Sequence, residues 1–222
     1  MGRAVTAIGG ALKDVLFGRL TLLALVNLVL AGAIAGSSVI AAIHYIQPLI
    51  PHASGWLGWA YDTARFLFGA GSIVLGVALS PAASMFVGGL LFDFAAERVE
   101  KGIGAPQARK PKLLEGLVTG IRVAIPSLLL NILFAPIYFI PGINVFVFYS
   151  INGYLMGRDY AMLAALRRLP FKDALRLRRS ARFSVFIVGV ACALIPFVGP
   201  LIGASGMTRL VNTILTGPSA RR

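Results

Sequence analysis

Charged side chains are scarce in this chain. They make up 13% of its 222 residues, and only eight are acidic, whereas 58% are hydrophobic. A soluble domain averages about 25% charged and roughly 45–50% apolar residues. That deficit of charge excludes a disordered protein, and the apolar excess argues against a soluble one. There is a single cysteine, Cys192, so an intrachain disulfide framework and a four-cysteine metal site are excluded. Cys192 lies inside an apolar block and reads as a small buried hydrophobe. Two histidines, His44 and His52, lie too far from carboxylates to predict a metal centre. Walker motifs and nucleotide-binding glycine loops are missing. No cofactor and no enzymatic activity are therefore expected.

What the chain does have is long uncharged runs. Residues 20–61, 66–92, 123–157 and 183–208 contain no Asp, Glu, Lys or Arg and together exceed half the sequence. About 20 apolar residues suffice for a helix to cross a bilayer core. The pattern predicts a multi-pass, all-α integral membrane protein forming a single membrane domain over 1–222. The first long apolar run begins only at Leu20 and is too long for a signal h-region, so no cleavable signal is expected. The net charge of +13 would suggest nucleic acid in a soluble protein. Here the Lys and Arg residues fall between the apolar blocks, as in cytoplasmic loops. They predict contact with anionic lipid headgroups and no nucleic-acid partner.

Residues 5–19 read as an amphipathic helix lying in the headgroup plane. Val5, Ile8, Leu12, Val15 and Leu16 form its apolar face, with Lys13 and Asp14 on the other side. Residues 20–46 form the first predicted spanning helix, with Gly32-Ala-Ile-Ala-Gly36 as a small-residue contact face and Pro48 and Pro51 ending it. Gly55–Tyr61 reads as an aromatic interfacial belt. A second span is expected over 66–92, with Pro81 as a kink site. An extension and loop over 93–122 follow, and Glu97 and Lys101 are paired there at i, i+4.

The last two blocks are interrupted. Pro126, Pro136 and Pro141-Gly142 break 123–157, which is compatible with a re-entrant hairpin or with two short spans. Ile195-Pro-Phe-Val-Gly-Pro200 breaks the final block. Its arms, 183–195 and 201–215, reach only about 20 and 22 Å as helices, short of a roughly 30 Å core. Residues 183–215 therefore predict a half-penetrating hairpin. Two spans, two hairpins and basic helices over 158–182 put every basic segment on one face, satisfying the positive-inside rule.

Asn152-Gly-Tyr-Leu-Met-Gly-Arg-Asp-Tyr160, Ala165-Leu-Arg-Arg-Leu-Pro170 and Leu177-Arg-Arg-Ser-Ala-Arg182 resemble the cytoplasmic linker of the CysZ sulfate-permease family, also called the etoposide-induced-protein domain family. Leu79-Ser-Pro81 through Glu97-Arg-Val-Glu100 is similar to that family's second span and its exit. Phe17-Gly-Arg-Leu20 leading to Leu25-Val-Asn27 resembles its lead-in to the first span. Family members often pair two basic residues where this chain has Arg19 followed by Leu20 and Thr21. The resemblance implies import of inorganic sulfate across the bacterial inner membrane for cysteine synthesis.

A sulfate dianion can exchange its water for guanidinium forks and for N–H groups at helix N-termini. Gly18 and Arg19, where the amphipathic helix meets the first span, are the leading candidates. Arg122 before the third block is another. Each arginine is also readable as an interfacial anchor with its head in water. Asn27 is a candidate path residue, and Asn144 and Gly199 mark hairpin tips whose half-helix N-termini could face an ion. Gly203-Ala-Ser-Gly206 matches the Gly-x-Ser-Gly of rhomboid-type intramembrane proteases, but both histidines precede it, near the opposite end of the membrane. Too few elements are present to enclose a polar path, so a homo-oligomer is expected. The contrasting reading is a non-transporting scaffold that organises partners or lipids through its basic face.

Overall fold

The computed structural model describes residues 2–51, 55–106, 108, 129, 133, 143–195 and 197–217, with backbone alone at 75, 78, 79, 81, 82, 143 and 144. Among these residues the chain is helical and has no strand. In chain order the helices are α1 (Gly2–Phe17), α2 (Thr21–Ala41), α3 (Gly58–Leu90), α4 (Phe92–Gly102), α5 (Ile143–Leu166), α6 (Phe171–Ser180), α7 (Arg182–Leu194) and α8 (Gly199–Thr216).

The first uncharged block behaves as its composition requires. α2 continues through a π-helical turn, Ala42–Ile46, and a 3₁₀ turn, Gln47–Leu49, so Pro48 is absorbed at the start of a tighter turn rather than ending the helix at 46. The resulting Thr21–Leu49 segment has 29 residues, about 43 Å at 1.5 Å per residue. Among the described residues it is the one helix long and apolar enough to cross a membrane. Its outer side is bare hydrocarbon: Leu22, Val29 and Ile40 are each more than 60% exposed. A water-soluble monomer rarely leaves such a contiguous apolar surface uncovered. α3 packs along α2 and begins at Gly58, earlier than the expected 66, so Trp59 and Tyr61 belong to the helix. Arg65 Nη2 donates to the Ile50 carbonyl (2.6 Å) and Gln47 Nε2 donates to the Arg65 carbonyl (2.9 Å), tying the α2 end to α3.

α8 is the centre of the remaining helices. Every residue from Gly199 to Thr208 is buried, and α1, α4, α5 and α7 all pack against it. α7 ends at Leu194 and α8 starts at Gly199, so the helix is interrupted within the 195–200 stretch read as a break. The turn is closed by Phe197 in the left-handed region (φ 67°). α5 runs unbroken through Gly157-Arg158, where the expected boundary between hairpin and basic linker falls. The other arm of that block, with Pro126, Pro136 and Pro141, lies outside the described residues.

α1 packs into the protein through its small side chains, a contact its reading as a headgroup-plane helix did not include. Ala4, Ala7, Ala11, Asp14 and Val15 are buried, whereas Val5, Leu16 and Phe17 are 64%, 51% and 87% exposed. The reason lies in α8, which presents Gly206 to this face; a Cβ built there would lie 3.7 Å from the Ala11 Cβ. Two helices this close accept only small side chains, as in membrane helix pairs generally. Asp14, expected on the outer side, is buried because it meets Arg209 and Ser205 of α8.

Candidate functional site

Arg19 is placed by a short, well-determined turn. α1 ends at Phe17 and α2 begins at Thr21. Leu20, fully buried, donates its N–H to the Asp14 carbonyl (2.8 Å), and Thr21 Oγ1 donates to the Gly18 carbonyl (3.1 Å). A Cβ at Gly18 would lie 3.0 Å from the Lys13 carbonyl oxygen, tighter than side chains normally tolerate. The turn thus points Arg19 toward α4, where its guanidinium lies against Gly102. Arg98 Nη1 donates to the Arg19 carbonyl (3.4 Å). Arg19, Arg98, Lys101 and Gly102 line a shallow cavity that is largely open to solvent. Arg19 thus lies beside Arg98 and Lys101, a neighbourhood the sequence reading did not include, while Gly18 shapes the turn and is not among the lining residues. Arg122 lies outside the described residues.

Two ion-pair networks link the neighbouring helices. Arg167 donates to Glu100 through Nε (3.1 Å) and Nη2 (2.8 Å) and to Asp93 through Nη1 (2.6 Å); Arg168 pairs with Glu100 at 3.3 Å. Burial opposes the Arg167 charge, but the bonds and charges of Glu100 and Asp93 outweigh it and hold its pKa above the ordinary arginine value. On α6, burial and the neighbouring Arg158 guanidinium push Arg178 down. The second network joins the chain's two ends: Asp14 Oδ2 accepts from Ser205 Oγ (2.7 Å), Arg209 Nε (2.9 Å) and Arg209 Nη2 (2.7 Å). Ser205, the serine of the protease-like tetrapeptide, thus directs its hydroxyl to a carboxylate. His44 lies in the π-helical turn at the far end of α2. The signal for both networks was available in the sequence. Asp14 falls on the alanine stripe of α1, and Glu100 falls on the apolar stripe Phe92, Ala95, Ala96, Val99 of α4.

The tip of the α7–α8 hairpin is clasped from both neighbouring helices. Asn27 Nδ2 on α2 donates to Ser84 Oγ on α3 (2.7 Å) and to the Phe197 carbonyl (2.6 Å), and Ser84 Oγ donates to the same carbonyl (2.8 Å). Pro200 packs directly on the Gly88 backbone. Asn27, expected along a path, is fully buried in this clasp, and its Oδ1 has no partner among the described residues. Gly199 is the first residue of α8, and its N–H is taken by the Ile195 carbonyl (2.8 Å). The backbone of Asn144 is in the first turn of α5, and its side chain lies outside the described residues. Interhelical hydrogen bonds in membranes contribute about 0.6–1.7 kcal/mol each. Asn27→Leu should therefore lower stability by about 1–2 kcal/mol and speed hydrogen exchange of the 197–202 amides. Exchange unchanged from wild type would show that the clasp does not hold the tip.

A family model described as Sulfate transporter CysZ/Etoposide-induced protein 2.4 matches residues 7–203 of the chain. Neither a curated protein nor a solved structure matches it.

Proposed function

The chain belongs to the sulfate transporter CysZ/etoposide-induced protein 2.4 family, and on that premise we propose that it is a permease or channel passing inorganic sulfate through the bacterial inner membrane for cysteine synthesis. The observation that carries this reading is the placement of Arg19. It is the last charge before the uncharged stretch 20–61, and its guanidinium lines a basic cavity at the foot of α2. A dianion reaching the membrane there would exchange water for charged hydrogen bonds before meeting hydrocarbon. No covalent step is needed, so the protein acts without catalysis or cofactor.

In this reading the Thr21–Leu49 and α3 helices span the bilayer, and the α7–α8 hairpin enters and leaves from the cytoplasmic side. The contacts Asp14–Arg209, Arg98–Arg19 and Arg167–Glu100 support it, because they gather the basic segments at one end of the molecule. Lys172, Arg176, Arg179 and Arg182 are exposed there and would meet anionic headgroups. Several copies would be needed to close a polar path away from lipid. In a Cys192→Ala background, Thr6→Cys and Ser180→Cys should label from the same side of the membrane and Trp56→Cys from the other. Labelling of Thr6→Cys and Ser180→Cys from opposite sides would overturn the arrangement.

The function itself is tested in a bacterial strain lacking its sulfate uptake systems. Expression of this chain should restore growth with sulfate as sole sulfur source. Growth on cysteine but none on sulfate, with the protein present in the membrane, would favour a scaffold that uses its basic face without transporting.

A further inference from the structure

The cavity at Arg19 is walled on its far side by the last turn of α4, and the charges of that helix are sorted by face. Phe92, Ala95, Ala96, Val99 and Glu100 point inward. Glu100 and Asp93 are both engaged by Arg167, and Glu100 by Arg168 as well. Arg98 and Lys101, at i and i+3, lie together on the outward side beside the cavity, as that spacing requires. The carbonyls ending α4 are capped by their own chain. Ile103, Gly104 and Ala105 donate to Val99, Lys101 and Glu100, with Gly104 in the left-handed region (φ 63°) that this closure needs. The wall facing Arg19 is therefore made of cationic side chains rather than open carbonyls. On the same side Glu97 holds Lys101 at 2.7 Å, with both side chains largely exposed (55% and 76%). Exposed pairs of this kind are weak.

We propose that Arg98 and Lys101 are oxyanion ligands together with Arg19, that Gly102 is the positioning residue for the Arg19 guanidinium, and that Glu97 competes with the anion for Lys101. The proposal rests on the anion-transport reading above and adds the helix that completes the site. Gly102 is the sharpest part of it. Any Cβ at 102 runs into the Arg19 guanidinium, which is the far end of a flexible side chain, so an alanine there moves the cation without breaking the fold. Lys101 is exposed and bears no packing load. Glu97 makes the prediction two-sided: removing an acid should strengthen anion binding, which general damage to the protein would not do.

The test is calorimetric titration of sodium sulfate, and of sodium nitrate as a monovalent control, into the purified full-length protein at constant ionic strength. Thermal midpoint and size-exclusion profile are recorded for each variant. Arg98→Gln, Lys101→Gln and Gly102→Ala should each weaken sulfate binding by roughly 10-fold, as expected for loss of a charged hydrogen bond, with a smaller effect on nitrate. Gly102→Ala should do so at an unchanged thermal midpoint. Glu97→Gln should tighten sulfate binding by about 2- to 5-fold. If Arg19→Ala loses sulfate while the α4 variants all bind it as wild type does, the α4 wall is refuted and the transport reading stands. If the wild-type protein binds no sulfate, both are overturned.

Discussion

Gly189→Leu is expected to prevent assembly of a stable protein, with loss of a monodisperse particle in mild detergent and a large fall in thermal midpoint. The cause is the α5–α7 crossing, where two backbones touch. A Cβ at Gly189 would run into the Gly153 carbonyl and lie 2.6 Å from the Gly157 Cα and N; a Cβ at Gly157 would lie 2.6 Å from the Val185 carbonyl oxygen. Backbone cannot swing aside as a side-chain tip can, so the helices must separate along the crossing. Overpacking typically costs about 1–3 kcal/mol and occasionally more, and this position belongs at the upper end. The control is internal. At Gly32 and Gly36 a Cβ meets nothing within 4 Å, so alanine there should leave stability unchanged or raise it by up to about 1 kcal/mol through helix propensity. A Gly189→Leu protein as stable as wild type would mean that the crossing is wrongly placed.

Arg19→Ala should weaken sulfate binding by roughly 10-fold or more, since a hydrogen bond with a charged partner contributes about 1.5–3 kcal/mol. Arg19→Lys should recover only part of the loss, because an ammonium offers a point charge where the guanidinium offers a planar fork. Arg19 is exposed and touches α4 only through its side chain and carbonyl, so the fold should survive; a size-exclusion profile checks this. Binding equal to wild type in Arg19→Ala would make the residue an interfacial anchor.

The uncharged blocks made most of the described helices legible, because the distribution of charge reports directly on which segments avoid water, whereas Pro48 and Pro81 do not end theirs. Faces and partners were less legible. Reading α1 by its bulky residues put Val5 and Leu16 on a face turned to the membrane, and they are exposed; that the alanine stripe packs against α8 was not read. In a bilayer, bulky apolar side chains have no reason to leave lipid, and close approach favours small ones. The same rule explains the glycines. Gly32-Ala-Ile-Ala-Gly36 and Gly153-Tyr-Leu-Met-Gly157 share one spacing, but only the second meets a partner backbone among the described residues. Spacing shows that a helix can be approached closely, and it does not show by what. Arg19 and Gly18 stood out as the last groups before a long uncharged run. Arg98 and Lys101 did not, since their role depends on α4 folding back beside the α1–α2 turn, a contact 79 residues apart in sequence. Asn27 was recognised as a polar group within a span, but its bonds to Ser84 and to the Phe197 carbonyl, 57 and 170 residues away, are tertiary information.

The most direct measurement is radiolabelled sulfate uptake into proteoliposomes containing the purified chain, alongside protein-free vesicles and vesicles with Arg19→Ala protein. Sulfate flux well above empty vesicles is expected for the wild-type chain, and a strongly reduced rate at sub-saturating sulfate for Arg19→Ala. Uptake by wild-type proteoliposomes no faster than by empty vesicles, with the protein shown to be folded and inserted, would contradict the transport reading.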